Sequence, residues 1–213
     1  GMILGDLGAD VIKIEPPGGS AARSEGPFLD SVEDSDDVED SEKSLQFYAY
    51  NRNKRSIVLD LETSADRGVL DLLVQGADFV LESSPGGLLA NHGVDFDKLR
   101  QLNSTIVHVV ISPFGADGPA ADRIANDLTL SAMGGQASLQ GSPDRPPVRV
   151  SIQQTWRHAS AQAATAAIIA HARMLVTGEA QFVDVSSGVE TAPGQKDAAK
   201  IAAFIAALEE TDV

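Results

Sequence analysis

Asn53-Lys54-Arg55-Ser56-Ile57-Val58-Leu59-Asp60-Leu61 runs from a polar, basic opening into an Ile/Val/Leu stretch of the kind a buried β-strand requires. The basic pair in front of the apolar run wants water or an anion. Residues 62–75 then place Val69, Leu70, Leu72 and Leu73 on one helical face and stop at Gly76, and Asp78-Phe79-Val80-Leu81 opens another strand. Strand, helix, strand in this order predicts a βαβ unit, hence a mainly parallel, doubly wound Rossmann-like sheet with flanking helices and an α/β fold. Ligands of such sheets gather at the carboxyl ends of the strands, here near Asp60-Leu61 and residues 81–85.

Towards the N-terminus, residues 2–7 read as the tail of a helix stopped at Gly8, and Val11-Ile12-Lys13-Ile14-Glu15 as a strand cut off by Pro16-Pro17-Gly18-Gly19. A chain that starts inside a helix suggests an absent earlier strand. Gly5 and Gly8 ahead of a strand ending in Glu15 invite a dinucleotide reading. That fingerprint needs its glycines after a strand and its acid ~20 residues later, so the spacing fails.

Towards the C-terminus, residues 83–87 form a turn, and residues 88–102 are helical in pattern with a break near Gly93. Ile106 to Ile111 is a third strand, closed by Ser112-Pro113-Phe114-Gly115. Residues 118–127 are loop-like, residues 128–133 form a helix ended by Gly134-Gly135, and Pro143 to Pro147 is a rigid linker. An Ala-rich helix follows over residues 159–175, stopped by Gly178, then a strand over residues 182–185. Ile201, Phe204, Ile205 and Leu208 share a face of a last helix over residues 196–210. There are no internal repeats.

With 213 residues, 43% of them hydrophobic, the chain can bury a sizeable core, and at 5% aromatics that core must be Ala, Val, Leu and Ile. The absence of cysteine excludes disulfides, thiolate metal sites and a cysteine nucleophile, and fits a cytoplasmic setting. Of the formal net charge of −15, about half comes from residues 30–42, which hold eight acids and no Lys or Arg. That run reads as a solvated loop, with a docking segment for a basic partner as the alternative. An acidic body argues against nucleic acid, and no apolar stretch approaches the ~20 residues of a membrane span. His92, His108 and His171 lack metal-ligand spacing, so no metal is expected, and Ser112, Ser186 and Ser187 lack a nucleophile-elbow context.

Several segments together resemble the class III CoA-transferases, a family that includes formyl-CoA transferase, carnitine CoA-transferase and α-methylacyl-CoA racemase. They are residues 5–17 (Gly-Asp-Leu-Gly-Ala-Asp-Val-Ile-Lys-Ile-Glu-Pro-Pro), residues 53–61, Gly76-Ala77-Asp78 and residues 111–119. Met133-Gly134-Gly135, Pro146-Pro147-Val148-Arg149-Val150 and residues 177–185 complete the set. The resemblance implies a large-domain portion over residues 1–187, including the acidic loop at 30–43, followed by an unrelated C-terminal helix over residues 188–213. It also implies members about twice this long that form interlocked dimers, so this chain resembles a truncated version or one part of a split pair. The partners implied are acyl-CoA or CoA and either a second copy or a complementary half-chain.

The resemblance further implies CoA transfer between carboxylic acids through an aspartate that forms a mixed anhydride and then a CoA thioester. In the family this aspartate lies shortly after the Pro-Pro-Val-Arg-Val segment, and counting places Trp156 there; Gln153, Gln154 and Thr155 cannot substitute. Asn126 and Trp156 likewise stand where the racemase branch needs its proton-transfer pair. The remaining candidates are Asp127, which matches a family aspartate, and His158. For CoA the resemblance offers Leu59 as a matching adenine-side apolar contact, with Lys54 and Arg55 as remaining cations and Ser83 and Ser84 in place of an Asn-Phe pair. Glu62, Pro16 and Asn91 stand where cations are expected, which implies weak CoA binding.

Overall fold

The computed structural model describes residues 1–29, 44–83, 88–116, 121, 123–134, 136–142, 144–146, 148, 150, 152–185, 190–192 and 195–196. The acidic run at 30–43 and most of the last helix expected from the sequence lie outside the described residues. These fall into two compact units, residues 1–77 and residues 78–213.

The first unit carries α1 (Met2–Asp6), β1 (Val11–Glu15), α2 (Leu45–Asn51), β2 (Lys54–Val58) and α3 (Ser64–Gln75). β1 and β2 pair in parallel, with Lys13 opposite Ser56 and Glu15 opposite Val58. Asn53 turns the chain into β2 from a left-handed conformation (φ 60°), which asparagine tolerates because its short side chain bonds locally. Its amide reaches the Asp6 carboxylate. Close approach explains Gly5, where a Cβ would sit 2.8 Å from Asn53 Oδ1. β2 is only half-buried, unlike the fully buried strand expected, because one neighbouring strand covers it among the described residues. In α3 the buried positions are Leu70 and Val74, one turn apart, while Leu72 faces solvent.

The second unit carries β3 (Phe79–Ser83), α4 (Leu88–Asn91), α5 (Phe96–Leu102), β4 (Val107–Ile111), α6 (Asp127–Met133), α7 (Thr155–Thr177), β5 (Gln181–Val185), β6 (Glu190–Ala192) and β7 (Gln195–Lys196). β3, β4 and β5 form a parallel sheet in that order. β2 and β3 therefore belong to different sheets, and the βαβ unit expected across residues 53–81 does not pair as one. The core strand is β4, buried at all five positions because a strand flanks it on each side. Its odd-numbered residues Val107, Val109 and Ile111 pack against Ala163, Ala167, Ala170 and Met174 of α7. Burying each Val or Ile stabilises by roughly 1.5–3 kcal/mol. On the opposite face His108 meets the Phe96 and Phe182 rings, which also touch each other. The sheet thus has helices on both sides, as in a doubly wound fold. Gly93 (φ +75°) breaks α4 from α5, and Gly178 (φ +71°) ends α7, both where the sequence places them. Lys196, read as the start of a helix, instead ends β7.

Candidate functional site

The site residues expected from the sequence fall into two groups, one in each unit. In the second unit, α7 begins at Thr155, four residues ahead of the expected start, and an aspartate far upstream is the cause. Asp127, buried at the start of α6, turns Oδ1 onto the head of α7. That oxygen accepts the backbone N–H groups of Gln154 (2.8 Å) and Thr155 (2.9 Å) and the Thr155 hydroxyl (2.8 Å). The first N–H groups of a helix have no partner within it, and a carboxylate there also opposes the positive end of the helix dipole. Asp127 is therefore engaged as a clamp between α6 and α7.

Trp156 occupies the first turn of α7, half-buried, with its ring against the apolar cluster of β4, β5 and α7. Indole offers no oxygen that attacks an acyl carbon. His158 is exposed on the same turn, its backbone N–H donating to Gln154 O at 3.0 Å. Asn126, just ahead of Asp127, caps α6 by accepting the Thr129 N–H at 2.9 Å.

Ser83 ends β3 opposite Ile111, exposed at the carboxyl edge of the sheet, and Ser84 lies outside the described residues. Beside it is a buried pair that sequence reasoning missed. Glu82 Oε1 lies 3.0 Å from His108 Nε2, while its Oε2 accepts the Leu89 N–H at 3.0 Å and so fixes the start of α4 to the strand. His108 Nδ1 is buried with no hydrogen-bond partner among the described residues. No sequence signal links these residues, which are 26 positions apart.

In the first unit, Lys54 is half-buried and donates to Tyr50 O (2.7 Å) and Asn51 Oδ1 (2.9 Å). Burial, and then the charge of Lys13, pull its ammonium below the usual lysine range. Arg55 is exposed and grips Asp10 with both arms of its guanidinium. Leu59 is buried just past β2, its N–H donating to Glu15 O at 3.0 Å. Glu15 is the best-connected acid of this unit. Its carboxylate accepts Arg23 Nε (2.8 Å) and Nη2 (2.9 Å), Ser56 Oγ (2.6 Å) and the Ser20 N–H (2.9 Å). The Arg23 guanidinium above all holds it well below the usual carboxylate range, against the opposing effect of burial. Glu62 and Pro16, where cations were expected for CoA, are exposed on this unit; Asn91 is exposed at the end of α4.

Parallel α/β sheets with a buried central strand, helices on both faces and polar residues at the carboxyl edge define a large class of ligand-handling folds. Within it this chain belongs to CoA-transferase family III, whose family model matches residues 1–201. It is 36% identical over 190 residues to the succinate–glutarate CoA-transferase of Agrobacterium fabrum, covering 87% of this chain and 46% of that protein. It is 37% identical over 180 residues to the succinyl-CoA:(R)-benzylsuccinate CoA-transferase subunit BbsE of Thauera aromatica, covering 84% and 42%. A solved CaiB/BaiF family protein from Brucella suis superposes with a TM-score of 0.74 at 35% identity, over 86% of this chain and 47% of that one. The chain spans less than half the length of these relatives.

Proposed function

We propose that this chain is one part of an enzyme that moves CoA from an acyl-CoA to a carboxylic acid, and that it lacks the attacking carboxylate itself. The carrying observation is Trp156, half-buried against the core cluster at the position where the resemblance places the nucleophilic aspartate. Exchange needs an enzyme carboxylate oxygen to attack the thioester carbon and release the CoA thiolate, which attacks the enzyme-side carbonyl of the mixed anhydride and frees the donor acid. The acceptor carboxylate then attacks the enzyme CoA thioester, and the released thiolate takes the acceptor-side carbonyl of the second anhydride, freeing the enzyme carboxylate. Asp127, the nearest alternative, spends one oxygen on three donors at the head of α7. His158, on the same turn, is a proton carrier at most, since acyl exchange between carboxylates has no use for an imidazole nucleophile here.

The missing carboxylate then comes from a complementary half-chain or from sequence beyond residues 1–213. The coverage of less than half of the relatives supports this. In this reading the residues that the resemblance offers for CoA are Lys54, Arg55 and Leu59 in the first unit and Ser83 and Ser84 in the sequence of the second. CoA binding is weak because Glu62, Pro16 and Asn91 supply no positive charge. The setting is the cytoplasm; among the described residues no helix is long and apolar enough to cross a membrane.

A non-catalytic scaffold is the second reading, favoured by the engagement of Asp127 in helix capping. Incubation with succinyl-CoA and labelled succinate separates the two. The chain alone is expected to move no label into the thioester pool, and adding a half-chain that carries the aspartate restores exchange only in the split-enzyme reading.

A further inference from the structure

In the first unit, β1, β2 and α2 enclose an open pocket of roughly 90 Å³ lined by Lys13, Glu15, Arg23, Phe47, Asn51, Lys54, Arg55 and Ser56. We propose that this pocket binds a single phosphate-type oxyanion, held between the ammonium groups of Lys13 and Lys54. The inference goes beyond the acyl-exchange reading and does not depend on it.

Charge decides the sign of the ligand. Four basic side chains meet one carboxylate in the lining. Glu15 is matched by Arg23 through two hydrogen bonds, and its remaining acceptor capacity goes to Ser56 and Ser20. Arg55 is matched by Asp10. Lys54 donates to two neutral acceptors, Tyr50 O and Asn51 Oδ1, so among the described residues its positive charge meets no carboxylate of its own. Lys13 shares the already engaged Glu15 at 3.6 Å and lies 5.3 Å from the centre of the Phe47 ring. Burial lowers the proton affinity of both lysines; for Lys54 the charge of Lys13 adds to this, while for Lys13 the Glu15 carboxylate offsets part of it and Arg23 adds a smaller opposing charge. An anion between them would relieve both costs through charge-assisted hydrogen bonds, since an ammonium has three N–H donors.

Shape decides the size. The volume is far below the ~300–1,000 Å³ of a site that encloses a whole small-molecule ligand. One tetrahedral group fits, a nucleotide does not. Phe47 is fixed as the apolar wall, with the Arg23 guanidinium 4.1 Å from its ring centre. The phosphate is either inorganic or a terminal group of a larger molecule such as CoA.

Titration calorimetry with inorganic phosphate tests this on the full chain in phosphate-free buffer. Wild type is expected to bind saturably, and Lys13→Met and Lys54→Met each to weaken binding by about tenfold or more, the loss of one charge-assisted hydrogen bond. Lys13→Arg, which keeps the charge, is expected to bind nearly as wild type and serves if the methionine variants do not fold. Arg100→Met, an exposed cation of the other unit, is the control. No saturable binding to wild type overturns the proposal, as does equal weakening in Arg100→Met. A parallel CoA titration distinguishes the sources. CoA affinity that falls with phosphate affinity in the lysine variants assigns the pocket to a CoA phosphate; unchanged CoA affinity beside lost phosphate affinity assigns it to free phosphate.

Discussion

Asp127 and Glu15 are two of the buried acids, and they act differently. Asp127 accepts three hydrogen bonds at the head of a 23-residue helix. Replacing it by Ala orphans those donors and is expected to cost roughly 1–3 kcal/mol, measured by thermal or urea unfolding. Asp127→Asn keeps a carbonyl oxygen in place and is expected to cost clearly less. Glu15 is ionised and paired, with a folded-state pKa below its ordinary value of 4.5. A depressed carboxylate contributes stability that is present above the unfolded pKa and is lost as pH falls towards the folded one. Wild type should therefore lose stability from about pH 4.5 downwards, whereas Glu15→Gln should be weaker near neutrality by ~3 kcal/mol and show a flatter acid limb in pH-dependent unfolding. Neither role is readable from neighbouring residues. Asp127 reaches partners 27 and 28 positions away, and Glu15 bonds Ser56 across 41.

Element by element, what the sequence makes legible is what local chemistry decides. Ile106 to Ile111 reads as a strand because β-branched residues fill it, and Gly93 and Gly178 mark breaks because only glycine takes their backbone angles cheaply. Two expectations failed where tertiary structure decides. α7 starts earlier than its alanine pattern because its cap comes from another helix, and β2 and β3 join different sheets although strand, helix and strand are consecutive. α7 itself is tuned for close approach. Ala163 and Ala167 are nearly inaccessible against β4, so Ala167→Leu is expected to overpack and destabilise by about 1–3 kcal/mol in chemical denaturation. Gly178→Ala places a Cβ in the left-handed region and is expected to cost roughly 1 kcal/mol by the same assay.

For the molecule as a whole, the apolar surface left open is informative. In the second unit Ile168, Ile169, Leu175 and Val176 of α7 are exposed, Val176 at 88%. In the first unit Ile12 and Ile14 of β1 are more than a third exposed. Exposed apolar side chains on one helix are candidates for a contact site where they adjoin. We expect the chain to self-associate or to need its complement, and light scattering across a dilution series should show a mass above that of the monomer. A purely monomeric mass at every concentration would count against this. The central claim of the proposal is chemical: with Trp156 packed against the core where the resemblance places the nucleophile, and Asp127 clamped to α7, we expect the chain alone to form no acyl-carboxylate intermediate. Intact-mass spectrometry after incubation with succinyl-CoA tests it most directly. The expected result is the unmodified mass; a CoA thioester mapped to Asp127, or to any other Asp or Glu of the chain, would contradict it.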